Sequence, residues 1–322
     1  MRVAAIVVMV EYVAAYLVGV ATGFAYPFPM GTFVPTALIV TVFMVCGFSA
    51  AKLAKFAIER EPNPIKRLSR EVWRKPDIPV GIFLTIAQMV VLAWAKVTLP
   101  FAVDFWADPA LADLDRTLFL SREPWRVTHA LLGWASPLLD RAYVAWGPVN
   151  LTLVALLLML PESSRRSQSL AAFFLVLAIS ATSMFLLPSG GPIFFEKLGY
   201  GLRFADMPVL PWVETTSNYL WRGHVSPDDR LGAGISAMPS VHVGIALWVA
   251  LVSRAYQPRL QMIGWAFFAT ILVGSVHLGW HYAVDGLASI AIAGLAWRLA
   301  ARLTRAAPQT VGPEPRAYSP AL

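Results

Sequence analysis

Ala237-Met238-Pro239-Ser240-Val241-His242 and, one apolar span later, His281-Tyr282-Ala283-Val284-Asp285 decide the reading of this chain. Each stretch opens a membrane-length apolar run, at 240–256 and 281–302. The run between them, 260–277, carries the chain back across, so both starts face the same side. A lone histidine in a membrane helix is commonly a structural contact. Two at helix N-termini on one face, the second followed four residues on by an aspartate, have the makings of a phosphoryl-transfer site.

The rest of the chain is membrane protein. Of 322 residues, 57% are hydrophobic and 14% charged, and the mean hydropathy is +0.61. Apolar runs at 3–26, 33–56, 80–99, 143–161, 169–188, 240–256, 260–277 and 281–302 predict an all-α integral membrane protein with about eight transmembrane helices, each of the ~20 residues a bilayer core requires. The chain divides into an N-terminal two-helix hairpin (1–56), a basic loop (57–79) with a surface helix around Ile65–Trp73, a six-helix domain (80–302) and a disordered tail (303–322). The first run is too long for a signal peptide and carries Glu11, so it reads as a retained helix. Glu11 is a functional candidate as an intramembrane acid, with a buried hydrogen-bonded contact as the alternative. The single cysteine, Cys46, rules out an intrachain disulfide.

Lys and Arg set the orientation. The connections 27–32, 96–142, 189–239 and 277–281 hold 9 of them, against 17 in Arg2, 52–79, 162–168, 254–260 and 298–322. By the positive-inside rule both termini are cytoplasmic and the two histidines face the periplasmic or extracytoplasmic side. These charges flank membrane helices and line no groove, so the pI of about 9.7 implies no nucleic-acid partner. The 97–142 connection, rich in Trp, Pro and Asp, reads as a segment lying on the membrane, with Leu131–Leu139 as an interfacial or re-entrant piece. The 189–239 connection reads as a packed cap.

On a helix, His281 and Asp285 share a face one turn apart. Asp285 is placed to accept the Nδ1–H of His281, leaving Nε2 nucleophilic, and to stabilise the cation that follows attack. In the second stretch Pro239 suits a first helical position, and the Ser240 hydroxyl with the adjoining N–H groups can hold phosphate oxygens. His242 then serves as general acid toward the leaving alkoxide and general base toward the acceptor, and Gly244 keeps its face open.

These stretches, extended to Val276-His277-Leu278-Gly279-Trp280-His281-Tyr282-Ala283-Val284-Asp285, resemble the second and third signature motifs of the type 2 phosphatidic acid phosphatase superfamily over roughly 80–302. The resemblance implies a six-helix membrane bundle, a phosphohistidine on His281, His242 as acid/base, Asp285 as the orienting acid, and no metal or other cofactor. Two departures stand out. Gly274-Ser275 occupy the place of the Ser-Arg pair of the phosphatases, so the arginine that grips phosphate is missing. Their first motif, Lys-x6-Arg-Pro, has as its nearest match Lys197-x5-Arg203 followed by Phe204. The stretch 234–242 and the turn Leu187-Pro188-Ser189-Gly190-Gly191-Pro192 look instead like the inositolphosphotransferase branch, which includes the inositol phosphorylceramide synthases.

The missing arginine needs a substitute. Lys197 and Arg203 follow the Gly-Gly-Pro turn and are favoured; Arg222 and Arg230 lie near the second motif. Lys96 either snorkels to the interface or reaches a lipid phosphate. His277 can touch substrate without being catalytic, and His129 and His224 read as loop or interfacial residues. Three functions compete: a phosphotransferase moving a phospho-headgroup from a membrane-lipid donor to a lipid or sugar hydroxyl, a lipid phosphate phosphatase with water as acceptor, and a non-catalytic transporter or scaffold. The missing arginine favours a phosphodiester donor, and the gathering of polar residues on one side speaks against the third.

Overall fold

The structure, a computed structural model, describes residues 1–23, 30–73, 75, 77–226 and 233–305. It is all-helical, with no strand among the described residues. The helices are α1 (Arg2–Thr22), α2 (Met30–Ile58), α3 (Pro64–Trp73), α4 (Asp77–Ala102), α5 (Ala107–Leu118), α6 (Pro124–Leu132), α7 (Ser136–Val144), α8 (Trp146–Met159), α9 (Ser164–Ser183), α10 (Pro211–Val225), α11 (Val241–Tyr256), α12 (Gln261–His277) and α13 (Ala283–Leu303). Eight of them, α1, α2, α4, α8, α9, α11, α12 and α13, fall on the eight apolar runs; among the described residues five spans, Arg2–Thr22, Phe33–Ile58, Asp77–Ala102, Pro124–Met159 and Ala283–Leu303, are long and apolar enough to cross a membrane, and α11 and α12 are shorter apolar helices. The tail expected to be disordered falls, from 306 on, outside the described residues.

Apolar side chains drive the assembly. Phe173, Phe174 and Val176 of α9 meet Ile245, Trp248 and Val249 of α11 in the main core, beside a stripe of alanines (Ala293, Ala296, Ala300) that admits α13. Trp248 is fully buried, and its indole N–H donates to the Ser169 carbonyl at 2.8 Å, so its polar edge is satisfied. The two N-terminal helices pack on the bundle separately, α1 against α4 and α9, α2 against α8 and α4. Gly47 allows the second contact: a Cβ there would lie 1.9 Å from Thr152 Oγ1. Glu11 is buried beside Gln88 of α4.

α3 is the amphipathic helix expected in the basic loop. Its Arg67 and Glu71 pair with Glu59, Glu61 and Lys52 around the end of α2. At the same end Arg166 donates to Asp77 at 2.9 Å and to the carbonyls of Leu157 and Leu158, joining α4, α8 and α9. The opposite end carries the long connections. There α6 and α7 lie against α12, with Leu131 and Trp134 exposed.

Helix α5 organises this loop-rich end. Asp108 and Asp115 lie seven residues apart, on one face, and both are buried. Asp108 accepts the N–H groups of Gly190 and Gly191 and the hydroxyl of Tyr282, while Asp115 accepts the N–H groups of Ala283 and Val284 at 2.7 and 2.9 Å. One short helix therefore holds the Gly-Gly-Pro turn and caps α13 directly after His281. Gly191 has φ +92, and a Cβ there would sit 2.4 Å from the Trp280 carbonyl oxygen, so only glycine lets the turn reach this close.

Replacing Asp108 by alanine strands three buried donors. Asp108→Ala is expected to destabilise the protein by about 1–3 kcal/mol for each donor left unpaired. Thermal unfolding in detergent measures the loss, and an unchanged melting temperature would show the turn to be held by other contacts.

Candidate active site

The two motifs meet through their backbones. Ser189 ties them to the Gly-Gly-Pro turn: its carbonyl accepts the Ala237 N–H at 2.7 Å and its hydroxyl accepts the Met238 N–H at 3.1 Å. On the other side the Ile193 N–H donates to Gly279 and the His281 N–H donates to Ser275. The irregular backbone of both motifs is thus buried in protein and satisfied, the condition for such backbone within a membrane bundle.

His281 is buried, and its Nδ1 lies 2.8 Å from the carbonyl oxygen of Ala237. A carbonyl only accepts, so Nδ1 carries the proton and Nε2 is left with its lone pair. This differs from the expected arrangement. The Asp285 carboxylate is the more distant partner, with Oδ2 at 3.5 Å from Nδ1, and that oxygen accepts the Tyr282 N–H at 2.9 Å. Asp285 is the third residue of α13 and bends back over the start of its own helix, while Ala237 of the other motif approaches the ring. The carboxylate remains close enough to stabilise a positive charge on the imidazole.

The ring of His242 is 6.1 Å from that of His281, centroid to centroid. It is stacked on Tyr143 at 4.8 Å and tilted against Trp146 at 4.4 Å, and the Trp146 indole donates to the His242 carbonyl at 3.0 Å. These contacts hold the His242 ring against the end of α7 and the start of α8. Tyr143 and Trp146 were not singled out from the sequence; their place near the α7–α8 junction gave no local sign of it.

Both histidines line one cavity of about 340 Å³, of the size used for small-molecule sites, ~300–1,000 Å³. Lys96 lines it too, and makes no hydrogen bond or ion pair among the described residues. Apart from a few small polar side chains the walls are apolar: Ile39 and Val40 of α2, Met89 and Leu92 of α4, Leu151 of α8 and Met184 after α9. Lys96 and the two histidines thus share one cavity with largely apolar walls.

Other candidates lie elsewhere. Arg203 is committed to Glu123 at 3.0 Å, Asp113 at 2.5 Å and the Ala112 carbonyl at 2.7 Å, bracing the cap against α5, and it lines a separate outer depression. Lys197 donates to Asn218 at 3.1 Å and lies over the Trp221 ring, again away from the cavity. Ser240 is fully buried, and its hydroxyl accepts the Val243 N–H as the N-cap of α11, so it serves the helix and Pro239 stands outside it. Gly244 packs α11 on α9, a Cβ there meeting Val176 at 3.1 Å. His277 is fully buried, 2.8 Å from Ser136 Oγ and stacked 3.8 Å from His129, which fixes α12 against α6 and α7. Arg230 lies outside the described residues.

A family model described as the PAP2 superfamily matches residues 109–299. The chain belongs to the PAP2 superfamily. Lipid-phosphate chemistry of the phosphatase or phosphotransferase type is thereby its general class, in an integral membrane protein. Searches among curated proteins and among solved structures each returned no match. The matched segment holds both histidine motifs and α5 from its third residue on, with Asp108 just before it. Lys96 and the α2 wall of the cavity lie before it.

Two predictions follow from this geometry. Lys96→Met removes an unpaired charge and should leave the melting temperature unchanged or raised, whereas Arg203→Met breaks a braced network and should cost about 1–3 kcal/mol; equal effects would contradict the different roles of the two cations. Burial pushes the Asp115 carboxyl up to about 6 from 3.8, outweighing its two N–H bonds. The folded protein then holds the extra proton, so this group's contribution to stability falls as pH rises from about 4 to about 6. Unfolding curves of wild type should lose stability relative to Asp115→Asn across that window, and parallel curves would refute the assignment.

Proposed function

We propose that this protein is a membrane phosphotransferase that moves a phospho-headgroup from a lipid donor to a lipid or sugar hydroxyl, in the manner of an inositolphosphotransferase. One observation carries the reading: Lys96, His242 and His281 line a single cavity whose other walls are largely apolar. A phosphodiester bears one negative charge, which one lysine can match. A terminal phosphate bears nearly two, and the arginine that would help hold it is replaced here by Gly274-Ser275.

In the first step Nε2 of His281 attacks phosphorus, forming the N–P bond as the P–O bond to the donor lipid breaks. His242 gives its proton to the departing alkoxide. Lys96 neutralises charge on the equatorial oxygens, and Asp285 offsets the cation on the phosphorylated ring. In the second step His242 takes the proton of the acceptor hydroxyl, whose oxygen attacks phosphorus. The N–P bond breaks and His281 returns neutral, its Nδ1–H still donated to Ala237. The Lys/Arg distribution supports a site opening on the extracytoplasmic side with cytoplasmic termini.

Purified protein incubated with a lipid extract and headgroup-labelled phosphatidylinositol should put label into a new lipid. His281→Ala should abolish this by at least roughly 10³-fold, His242→Ala should slow it by about 10²–10⁴-fold, and Lys96→Met by about 10²-fold. Inorganic phosphate from phosphatidic acid, with no new lipid formed, would make the enzyme a phosphatase. Turnover that survives His281→Ala would overturn the mechanism.

A further inference from the structure

A second depression, of about 620 Å³, lies apart from the catalytic cavity, where α5 ends and α6 begins. Its charged lining is one-sided: Arg116, Arg122, Arg126 and Arg203 against the single carboxylate of Glu123. That carboxylate already accepts from Arg203 at 3.0 Å. Arg126 meets Asp206 at 3.0 Å, but more than half of each side chain is in the open, and such a pair is weak in water. Arg116 and Arg122 are exposed and meet no carboxylate among the described residues. Arg116 gives only its Nε–H, to the Ser121 carbonyl at 3.4 Å, so both terminal nitrogens of its fork stay open. Arg122 makes no side-chain hydrogen bond among the described residues.

The rest of the lining is mostly apolar. Val127, Ala130 and Leu131 share one face of α6 and stand beside the arginines. Leu131 is 69% exposed, and Leu118 and Leu120, at the end of α5, are exposed as well, Leu120 by 87%. The turn that presents Leu120 is strained. Leu120 and Ser121 have φ +54 and +65, the left-handed region that side chains other than glycine's disfavour. Folding thus sets a leucine in the open at a local cost, an arrangement unfavourable in water and favourable in lipid. Guanidinium forks beside an apolar face match a phosphate joined to hydrocarbon.

We propose that this depression is a phospholipid site separate from the catalytic cavity, holding the headgroup phosphate of an anionic lipid of the surrounding bilayer. Arg116 and Arg122 take the phosphate oxygens. Val127, Ala130 and Leu131 receive the first carbons of the chains, and Leu120 enters the bilayer beside them. Arg203 stays with Glu123 and Asp113 and keeps the lining in shape. The place of the site gives it a consequence. Arg116 follows Asp115, whose carboxylate caps α13 directly after His281, so a lipid bound here braces the frame of the active site. This lipid is held and not turned over, and the inference stands apart from the transferase reading.

The test is thermal unfolding of the full-length protein in neutral detergent, titrated with dioctanoyl phosphatidylglycerol, dioctanoyl phosphatidylcholine or glycerol phosphate. The anionic lipid should raise the melting temperature to a plateau, binding roughly tenfold or more tightly than either of the others. Arg122→Gln breaks no hydrogen bond or ion pair among the described residues and should weaken that binding about tenfold; adding Arg116→Gln should weaken it about tenfold again. Leu120→Asn puts a polar residue that tolerates the left-handed turn in place of the leucine. It should weaken the lipid several-fold and leave glycerol phosphate unchanged. The loss on Arg122→Gln should be the same in Lys96→Met protein, whose catalytic cavity has lost its cation. Binding unchanged by Arg122→Gln, equal effects of the two lipids, glycerol phosphate matching the anionic lipid, or no rise with it would each overturn the site. A rise abolished by Lys96→Met and kept in Arg122→Gln would place the lipid in the catalytic cavity instead.

Discussion

Two buried carboxylates on one short helix hold the loop-rich end of this protein together. Asp108 gathers Gly190, Gly191 and Tyr282, and Asp115 gathers Ala283 and Val284. Every one of those donors is within a few residues of a group that lines the cavity. Backbone N–H groups in an irregular turn, sunk at the end of a membrane bundle, have no water to satisfy them, and an ionisable acceptor is the strongest partner available. The position of His281 follows from this. Its helix start is capped by Asp115, the residue after it is held by Asp108, and its ring is oriented by a carbonyl of the other motif.

The site built on that frame is sparse. It has two imidazoles at 6.1 Å, a lysine without a partner among the described residues, and a carboxylate held back by its own helix start. Two arginines are spent on structure: Arg203 braces the cap and Arg166 braces the far end of the bundle. In the cavity, Lys96 and the aromatic contacts of His242 stand among largely apolar walls.

The N-terminal helices take on a meaning their composition does not suggest. Read as a string, α1 and α2 carry no group of chemical residues beyond Glu11. In the fold, α2 packs on α4 and α8 and closes the cavity with Thr36, Ile39 and Val40. A segment that precedes the matched region thus forms part of the cavity wall.

Sequence by itself determined what depends on local pattern. The eight apolar helices are legible because a bilayer demands about twenty apolar residues at a time, and His242 and His281 stand out because polar residues at membrane helix starts are rare. The surface helix around Ile65–Trp73 was legible within the basic, proline-punctuated loop and is α3 (Pro64–Trp73). Tertiary structure alone decided which cation faces the histidines, since Lys96, Lys197 and Arg203 are equivalent as letters and differ only in whether a carboxylate or amide reaches them first. It also decided the orienting group of His281, because a backbone carbonyl is present at every residue and leaves no mark in the sequence. Asp108 and Asp115 gave a partial signal, two acids on one helical face beside tryptophans, but their donors lie more than eighty residues away in the chain. Contacts of that range are set by packing, and packing is where the pattern of single residues stops being informative.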